Sequence, residues 1–436
     1  MEKIKISINP TKRQGEMRNI LGINNSPEVS DAWRLPNRKK MFEALRAKYV
    51  RHHDAALLNP GYALIDVSRL FPMFRLDHND PENYDFKATD DYLSAIPKDM
   101  IIEFRLGESI EHSENRYRTL PPADYEKWAE IGVNIIRHYT EGWADGMHLN
   151  IQYVSVSEEP NDGFDKIFAG PYDEYLKLYG ITYKKLRAAF PNMKIGGPAT
   201  GYLYQTEACE RFLAFSRANN IKPDFISGDI YTRDIDFMPE KIKEIENMLK
   251  SYGYDDTEIF ITEMHLCPKS WRPLDMTGFE GAENAAFTAT SLIRLMDTKL
   301  EATYFYYWGS GVWGLYVKKQ GGERPIPVYY GLKFFTSIVL DTERIEINSS
   351  EHNGNIAMLS GITPEGNVQL LLSCYDVEET EFEISVPDYG NAKIKKIVDD
   401  GVEFTDEWEA FDKKGDNFKI ELANQESGVY YIEFLK

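Results

Sequence analysis

Short apolar runs alternate along most of the chain with longer segments of helical periodicity. Most of the runs are continuously apolar, which is typical of parallel strands covered on both faces. In the clearest intervening segment, Trp128, Ile131 and Ile135 share one face of a helix that follows a pair of prolines. The predicted strands are residues 20–25, 48–53, 100–105, 151–157, 193–197, 224–231, 258–263 and 302–307.

Strands that alternate with helices predict βα units and a parallel sheet. Eight such units match a (β/α)₈ TIM barrel in number and length, and we place this α/β domain at residues 11–337. A doubly wound open sheet is the alternative. It usually carries a glycine-rich phosphate loop after its first strand, and the LGINNSPE stretch here is not one.

The pattern changes after about residue 340, where short strands are separated by turn signals such as HNGN, TPEGN and DYGN. No helical periodicity is convincing in this part of the sequence. We therefore predict a C-terminal antiparallel β-sandwich over residues 338–436. Residues 1–10 read as an isolated strand, which needs a partner edge, and we expect it to join this sandwich.

The net charge and hydropathy of the sequence argue against two classes of binding partner. The formal charge of −20 argues against nucleic acid and anionic membrane surfaces, and no apolar run is long enough for a membrane helix. The three cysteines are far apart and form no CxxC pair, so neither a disulfide framework nor a zinc site is indicated. The first residues lack the apolar core of a signal peptide; we expect a cytoplasmic protein, or one whose signal has been removed. The oligomeric state stays open.

Ionisable and aromatic residues stand at the ends of most of the predicted strands. Active sites of these barrels lie at the carboxyl ends of the strands, so these side chains are expected to converge. We treat Arg105 and Glu108 as a structural ion pair near the barrel mouth. The candidate site residues are Arg51, His53, Glu158, Glu159, Asp229, Tyr231, Glu263, His265, Tyr306 and Trp308.

Glu159 and Glu263 follow two different strands and are the candidate catalytic pair. Glycoside hydrolysis needs one carboxyl group that donates a proton and one carboxylate that attacks the sugar or activates water. Different surroundings move the two pKa values apart. Pro160 ends the strand directly after Glu159 and turns the backbone, which helps to bring this glutamate over the barrel mouth.

Three stretches of the sequence resemble glycoside hydrolase family 39, the family of β-xylosidases and α-L-iduronidases. They are YDFKATDDYLSAIP, the long run from FRLGES to NIQY, and EEPN. The family belongs to the clan of retaining (β/α)₈ glycosidases. The resemblance implies that Glu159 is the acid/base and Glu263 the nucleophile, with carboxyl groups about 5–5.5 Å apart. It also places the family's Arg-x-His-Asp pattern on Arg51, His53 and Asp54, so that Arg51 supports the charge of the nucleophile.

Two positions depart from the family pattern. Glu158 stands where the family usually has an asparagine that binds the 2-hydroxyl of the sugar, and Asp229 stands where a histidine is common. A carboxylate accepts hydrogen bonds but donates none unless it is protonated. We expect altered specificity, such as a sugar with an amine or a differently placed hydroxyl, or else loss of activity.

The prediction is a retaining glycosidase acting on an oligo- or polysaccharide, without cofactor or metal. A metal site built from the histidines and Asp54 lacks any HExxH-type spacing. Besides the catalytic pair, the substrate is expected to contact Arg51, His53, Glu158, Asp229, Tyr231, His265, Tyr306 and Trp308, although Tyr306 and Trp308 also suit barrel packing. The alternatives are a carbohydrate-binding protein on a glycosidase scaffold and a transglycosidase. The sugar, its anomeric configuration and the choice between exo and endo action stay open.

Overall fold

The computed structural model describes residues 2–25, 38–53, 63–111, 114–160, 167–202, 205–319, 322–350, 354–399, 404–423 and 426–436. The strands are, in chain order, β1 (Glu2–Arg13), β2 (Leu21–Asn24), β3 (Tyr49–His52), β4 (Ile101–Leu106), β5 (Ile151–Val156), β6 (Lys194–Thr200), β7 (Phe225–Thr232), β8 (Glu258–Leu266), β9 (Ser270–Trp271), β10 (Leu274–Asp275), β11 (Leu300–Phe305), β12 (Tyr316–Lys319), β13 (Gly322–Pro325), β14 (Glu343–Ser349), β15 (Ile356–Ile362), β16 (Val368–Val377), β17 (Thr380–Ser385), β18 (Asn391–Val398), β19 (Glu409–Phe411), β20 (Phe418–Leu422) and β21 (Glu426–Leu435). The α-helices are α1 (Lys39–Leu45), α2 (Val67–Leu70), α3 (Lys87–Leu93), α4 (Tyr125–Thr140), α5 (Tyr172–Ala189), α6 (Thr206–Ala218), α7 (Phe237–Tyr252), α8 (Ala282–Leu295) and α9 (Pro327–Asp341), with a 3₁₀ turn at Pro81–Asn83.

Strands β2 to β8 and β11 close into a parallel barrel, in which β11 pairs with both β8 and β2. At least one helix follows each of these strands in the chain. The predicted TIM barrel is confirmed, and the open doubly wound alternative is wrong. No helix among the described residues has the length and apolar character needed to cross a membrane.

All eight predicted barrel strands are present, with ends that differ by a few residues. The largest differences are at β6 and β8, which run three residues past their predicted ends, to Thr200 and Leu266. Glu263 therefore lies within β8, and its side chain is held by strand geometry instead of by a loop.

Nine further strands form one continuous sheet in the order β19-β18-β21-β16-β15-β14-β1-β17-β20. This confirms a separate C-terminal β domain. The first strand of the chain is part of it, because β1 pairs antiparallel with β14 and parallel with β17. Ile4, Ile6 and Ile8 of β1 lie in the core of this sheet together with Phe382 and Phe418.

The other face of the sheet packs on the barrel through α8 and α9. The rings of Phe287 in α8 and Tyr375 in β16 lie 5.4 Å apart. Thr290 Oγ1 donates a hydrogen bond of 2.9 Å to Ser373 Oγ, which donates in turn to the backbone oxygen of Ala286 at 3.0 Å. The two parts thus share one packed interface. The domain boundary between residues 337 and 338 stays a prediction, and α9 runs across it.

Candidate active site

A buried arginine joins three barrel strands at the centre of the site. Arg51 lies on β3 and is fully buried. Its Nη2 donates to Oε2 of Glu158, its Nη1 donates to Asn24 Oδ1 at 3.1 Å, and Nη1 lies 3.9 Å from Oε1 of Glu263. A buried guanidinium is stable only with such partners. The carboxylates around it, led by Glu158, outweigh the effect of burial and raise the pKa of Arg51, which therefore stays charged.

The contacts of Glu263 suit a reacting carboxylate. The hydroxyl of Tyr231 donates to its Oε2, and Nε2 of His53 lies 3.1 Å from its Oε1. The residue is only 7% exposed. Burial raises the pKa of Glu263 to about 7, although the charge of Arg51 and the hydrogen bond from Tyr231 act in the opposite direction.

Glu158 and Asp229, the two departures from the family pattern, lie beneath the site. Neither residue has any exposed surface. Glu158 Oε2 pairs with Arg51 and lies 3.8 Å from Nδ1 of His53, while Asp229 Oδ1 accepts a hydrogen bond of 2.9 Å from the Thr262 hydroxyl. Their role as direct substrate ligands stays a prediction.

The charges around Asp229 show which carboxyl groups share this region. Burial raises the pKa of Asp229 well above its usual value, and the charges of Glu263, Glu158 and Glu159 raise it further. Burial also raises the pKa of Glu158, against the effect of Arg51. The two candidate catalytic glutamates therefore both act on one buried aspartate, although they come from β8 and from the segment after β5.

Local backbone geometry separates Glu159 from Glu158. Ser157 and Glu159 have positive φ angles of 65° and 37°, an uncommon conformation for residues with a side chain. The backbone nitrogen of Glu159 donates to the oxygen of Ala199 at 2.8 Å, which ties the turn to β6. Glu158 then points into the barrel toward Arg51, and Glu159 keeps more exposure than its neighbour.

The predicted aromatic and histidine ligands fall into two groups. The ring of Tyr306 lies 6.4 Å from that of His53, beside the site. Trp308 is fully buried and packs edge-on against Phe42 and Tyr316, at 4.9 and 5.1 Å. Its position matches the packing alternative, and its role as a sugar platform stays a prediction.

His265 is also buried. Its Nδ1 lies 3.0 Å from the backbone oxygen of Leu266, and its ring contacts Phe279 and Trp313. Burial lowers the pKa of His265 to about 4, so the ring is neutral at physiological pH. A direct contact between His265 and the substrate stays a prediction.

Arg105 does not pair with Glu108 as the sequence suggested. Its Nη2 instead donates to Oδ1 of Asp66 at 2.9 Å, while Glu108 accepts hydrogen bonds from Ser68. The residue that changes the pairing is Asp66, an acid at the start of α2 that the strand pattern did not single out. Asp54, the last member of the expected Arg-x-His-Asp pattern, lies outside the described residues.

Three functional candidates, Glu103, Trp313 and Trp271, were missed from the sequence. Glu103 on β4 is fully buried, and its Oε1 lies 3.5 Å from Nε of Arg51. A charged residue in the middle of the apolar run MIIEFR was the available signal. Trp313 contacts the ring of Tyr231 edge-on at 5.4 Å and stacks with Trp271 at 5.9 Å. Trp271 is 52% exposed on the β9–β10 hairpin, so an aromatic face stands at the rim.

One group of side chains has ligand atoms close enough for a metal ion. His53, Glu158 and Glu263 each offer an atom within 4.8 Å of the others, and no further group of this kind occurs among the described residues. Arg51 already donates to Glu158, and its positive charge opposes a second cation at this point. The arrangement thus suits ion pairing better than metal binding; the absence of a metal and of a cofactor stays a prediction.

Comparison with known proteins identifies the family of this chain and solved structures with a similar fold. A sequence profile of the glycosyl hydrolases family 39 matches residues 37–295. A β-xylosidase from Caldicellulosiruptor saccharolyticus is 23% identical over 416 residues, which cover 86% of this chain and 79% of that protein. A glucosidase from Croceicoccus marinus has a TM-score of 0.79 at 20% identity and 99% coverage of both chains. A monomeric β-xylosidase from Caulobacter crescentus has a TM-score of 0.69 at 14% identity and 100% coverage of both. At these identities the structures establish the fold alone.

Proposed function

Because the chain belongs to family 39 of the glycosyl hydrolases and is therefore a glycosidase with a carbohydrate substrate, we propose that it cleaves glycosidic bonds by a retaining double displacement. Glu263 is the nucleophile and Glu159 the acid/base. The observation that carries this proposal is the set of groups around Glu263. Tyr231, His53 and Arg51 surround its two oxygens, at distances that orient the carboxylate and stabilise its charge.

The first step forms a covalent sugar–enzyme ester. Glu263 attacks the anomeric carbon while Glu159 donates a proton to the departing oxygen, so the bond to the leaving group breaks as the ester bond forms. In the second step Glu159, now ionised, takes a proton from water. The water oxygen replaces Glu263 at the anomeric carbon, and the sugar leaves with its original configuration.

Arg51 and its carboxylate partners position the nucleophile. The guanidinium is held by Glu158, by Glu103 and by Asn24, so its approach to Glu263 is fixed before any substrate arrives. A charge arranged in advance costs no reorganisation during the reaction. Glu158 thus acts as a positioning residue in this proposal, through Arg51.

A β-xyloside is the substrate that we propose first. The relatives compared above include two named as β-xylosidases and one as a glucosidase. Xylose and glucose differ only in the hydroxymethyl group at C5, so one site geometry serves the anomeric chemistry of both. A panel of p-nitrophenyl glycosides that includes both sugars separates them by kcat/KM.

The test of the mechanism uses Glu159→Ala and Glu263→Ala on that panel. On p-nitrophenyl glycosides Glu263→Ala should lose at least about 10³-fold in kcat, because no ester forms. Glu159→Ala should lose kcat mainly because the ester is hydrolysed slowly, since p-nitrophenol leaves without a proton from the enzyme. Azide should restore turnover with opposite products: for a β-glycosidase, the β-azide with Glu159→Ala and the α-azide with Glu263→Ala. Glu141→Ala, at an exposed position after α4, is the matched control and should behave as wild type.

Wild-type activity in both variants would remove the assignment of the two roles. Sugar binding by the wild-type chain without release of any p-nitrophenol would instead identify a carbohydrate-binding protein. Transfer to an added acceptor sugar in place of water would identify a transglycosidase.

A further inference from the structure

A pocket with a volume of about 350 Å³ lies at the carboxyl ends of β4 and β5. Gly107 and Ser157, which directly follow these two strands, form part of its wall. Ser157 stands two positions before Glu159 in the turn described above. The pocket therefore begins at the base of the turn that carries Glu159, and its lining includes Ser157 but neither Glu159 nor Glu263.

Apolar side chains from several segments form most of this wall. They include Val67, Phe71, Phe74, Leu120, Trp128 and Ile131. Leu120 remains 51% exposed, as expected for a side chain at the rim of an open pocket and not for one packed in a core. An apolar wall of this size favours an apolar occupant, because covering it removes hydrocarbon surface from water.

The charged groups of the pocket do not oppose such an occupant. Backbone nitrogen and hydroxyl of Ser68 donate to the two oxygens of Glu108, at 2.9 and 2.5 Å. Burial and the nearby charge of Asp66 raise the pKa of Glu108 to about 8, so this carboxyl group is mostly neutral at pH 7. Arg118 is directed to Asp66, with 2.7 Å between Nη1 and Oδ2. The acid that lines the pocket thus adds little negative charge to it.

We propose that this pocket binds the leaving group of the glycoside, and that it selects a hydrocarbon aglycone over a second sugar. The assignment rests on the proposed function, because the leaving group lies on the side of the bond that Glu159 protonates. A sugar would bring hydroxyl groups around its whole edge, and the phenyl, indole and aliphatic walls replace few of the hydrogen bonds that these groups make with water. A hydrocarbon chain or ring needs none.

Alkyl glycosides provide the test, since unbranched alkyl groups of two to eight carbons leave with nearly the same intrinsic reactivity. The sugar is the one whose p-nitrophenyl glycoside wild type cleaves fastest. We expect kcat/KM to rise by up to about fourfold for each methylene that the pocket buries. Leu120→Ser should reduce this rise, while Leu340→Ser, at an equally apolar and 43% exposed position on α9, should not.

Each of the following outcomes would overturn the assignment of this pocket to a hydrocarbon aglycone. A flat alkyl series, with turnover of the p-nitrophenyl glycoside intact, would overturn the aglycone pocket and leave the glycosidase mechanism standing. If Leu120→Ser leaves this rise unchanged, the alkyl group binds outside the pocket, and the aglycone assignment is again overturned. A disaccharide of the same sugar that is cleaved with higher kcat/KM than the octyl glycoside would assign the pocket to a second sugar. No turnover of any glycoside would reject the proposed function, and the aglycone assignment with it.

Discussion

The side chain of Glu263 combines two opposed demands. As a nucleophile it has to be ionised, yet burial raises its pKa to about 7. Tyr231 and Arg51 favour the charged form and keep the pKa from rising further. Below pH 7 most of the free enzyme therefore carries a protonated Glu263, and kcat/KM should fall as the pH decreases through this value.

Tyr231→Phe tests this balance. Removing the hydroxyl takes away a hydrogen bond to the ionised form, so the pKa of Glu263 should rise and the acid limb of kcat/KM should move up by roughly one pH unit. The measurement is the pH profile of kcat/KM for wild type and variant. Tyr183→Phe, which removes a hydroxyl bonded to the backbone oxygen of Lys222, is the control and should leave the limb in place. An unchanged limb in Tyr231→Phe would mean that another group controls it.

At the residue scale the sequence placed Arg51, Glu158 and Glu263 near one another, as their contacts show, but it did not indicate which way each side chain points. The Glu158-Glu159 pair was recognisable from its position after an apolar strand. Its division into a buried partner of Arg51 and a more exposed neighbour depends on the positive φ angles of Ser157 and Glu159, which no residue type in this stretch requires. Trp308 likewise stands at a strand end, and only the positions of Phe42 and Tyr316 explain its burial.

At the scale of elements, the barrel strands were predictable because strands covered on both sides must be apolar. The β9–β10 hairpin at the rim of the barrel was not predictable, since its strands are too short to show a periodic pattern. Strands β9 and β10 have two residues each, and they hold Trp271 half exposed against Trp313. From there the aromatic contacts continue to Tyr231, which bonds Glu263.

Trp271→Ala tests whether this rim contributes a binding surface. An exposed indole offers a flat face to a sugar ring outside the cleaved bond. We expect KM for the p-nitrophenyl glycoside of a di- or trisaccharide, which places its additional sugars on the glycone side, to rise roughly fivefold, with little change in kcat, because the indole lies away from the reacting atoms. Trp271→Phe should retain most of the affinity. Equal KM values for Trp271→Ala and wild type would assign the residue to packing alone.

For the whole molecule, the shared interface along α8 predicts coupled unfolding. Phe287 is fully buried between the barrel and Tyr375 of the sheet, so Phe287→Ala should destabilise both parts, by about 3–5 kcal/mol. Hydrogen exchange of barrel and sheet peptides, followed across a urea titration, should show one common midpoint that moves in the variant. Leu340→Ala should shift it far less. Separate midpoints for the two sets of peptides would show that the sheet unfolds independently.

The place of β1 in the sheet has a consequence for synthesis on the ribosome. Strand β1 is synthesised before the barrel, whereas its partners β14 and β17 are synthesised after the barrel. Its buried isoleucines have no sheet to join while the catalytic domain emerges. During that interval the nascent chain presents an unpaired apolar strand, so β1 completes its pairing only after β17 has left the ribosome.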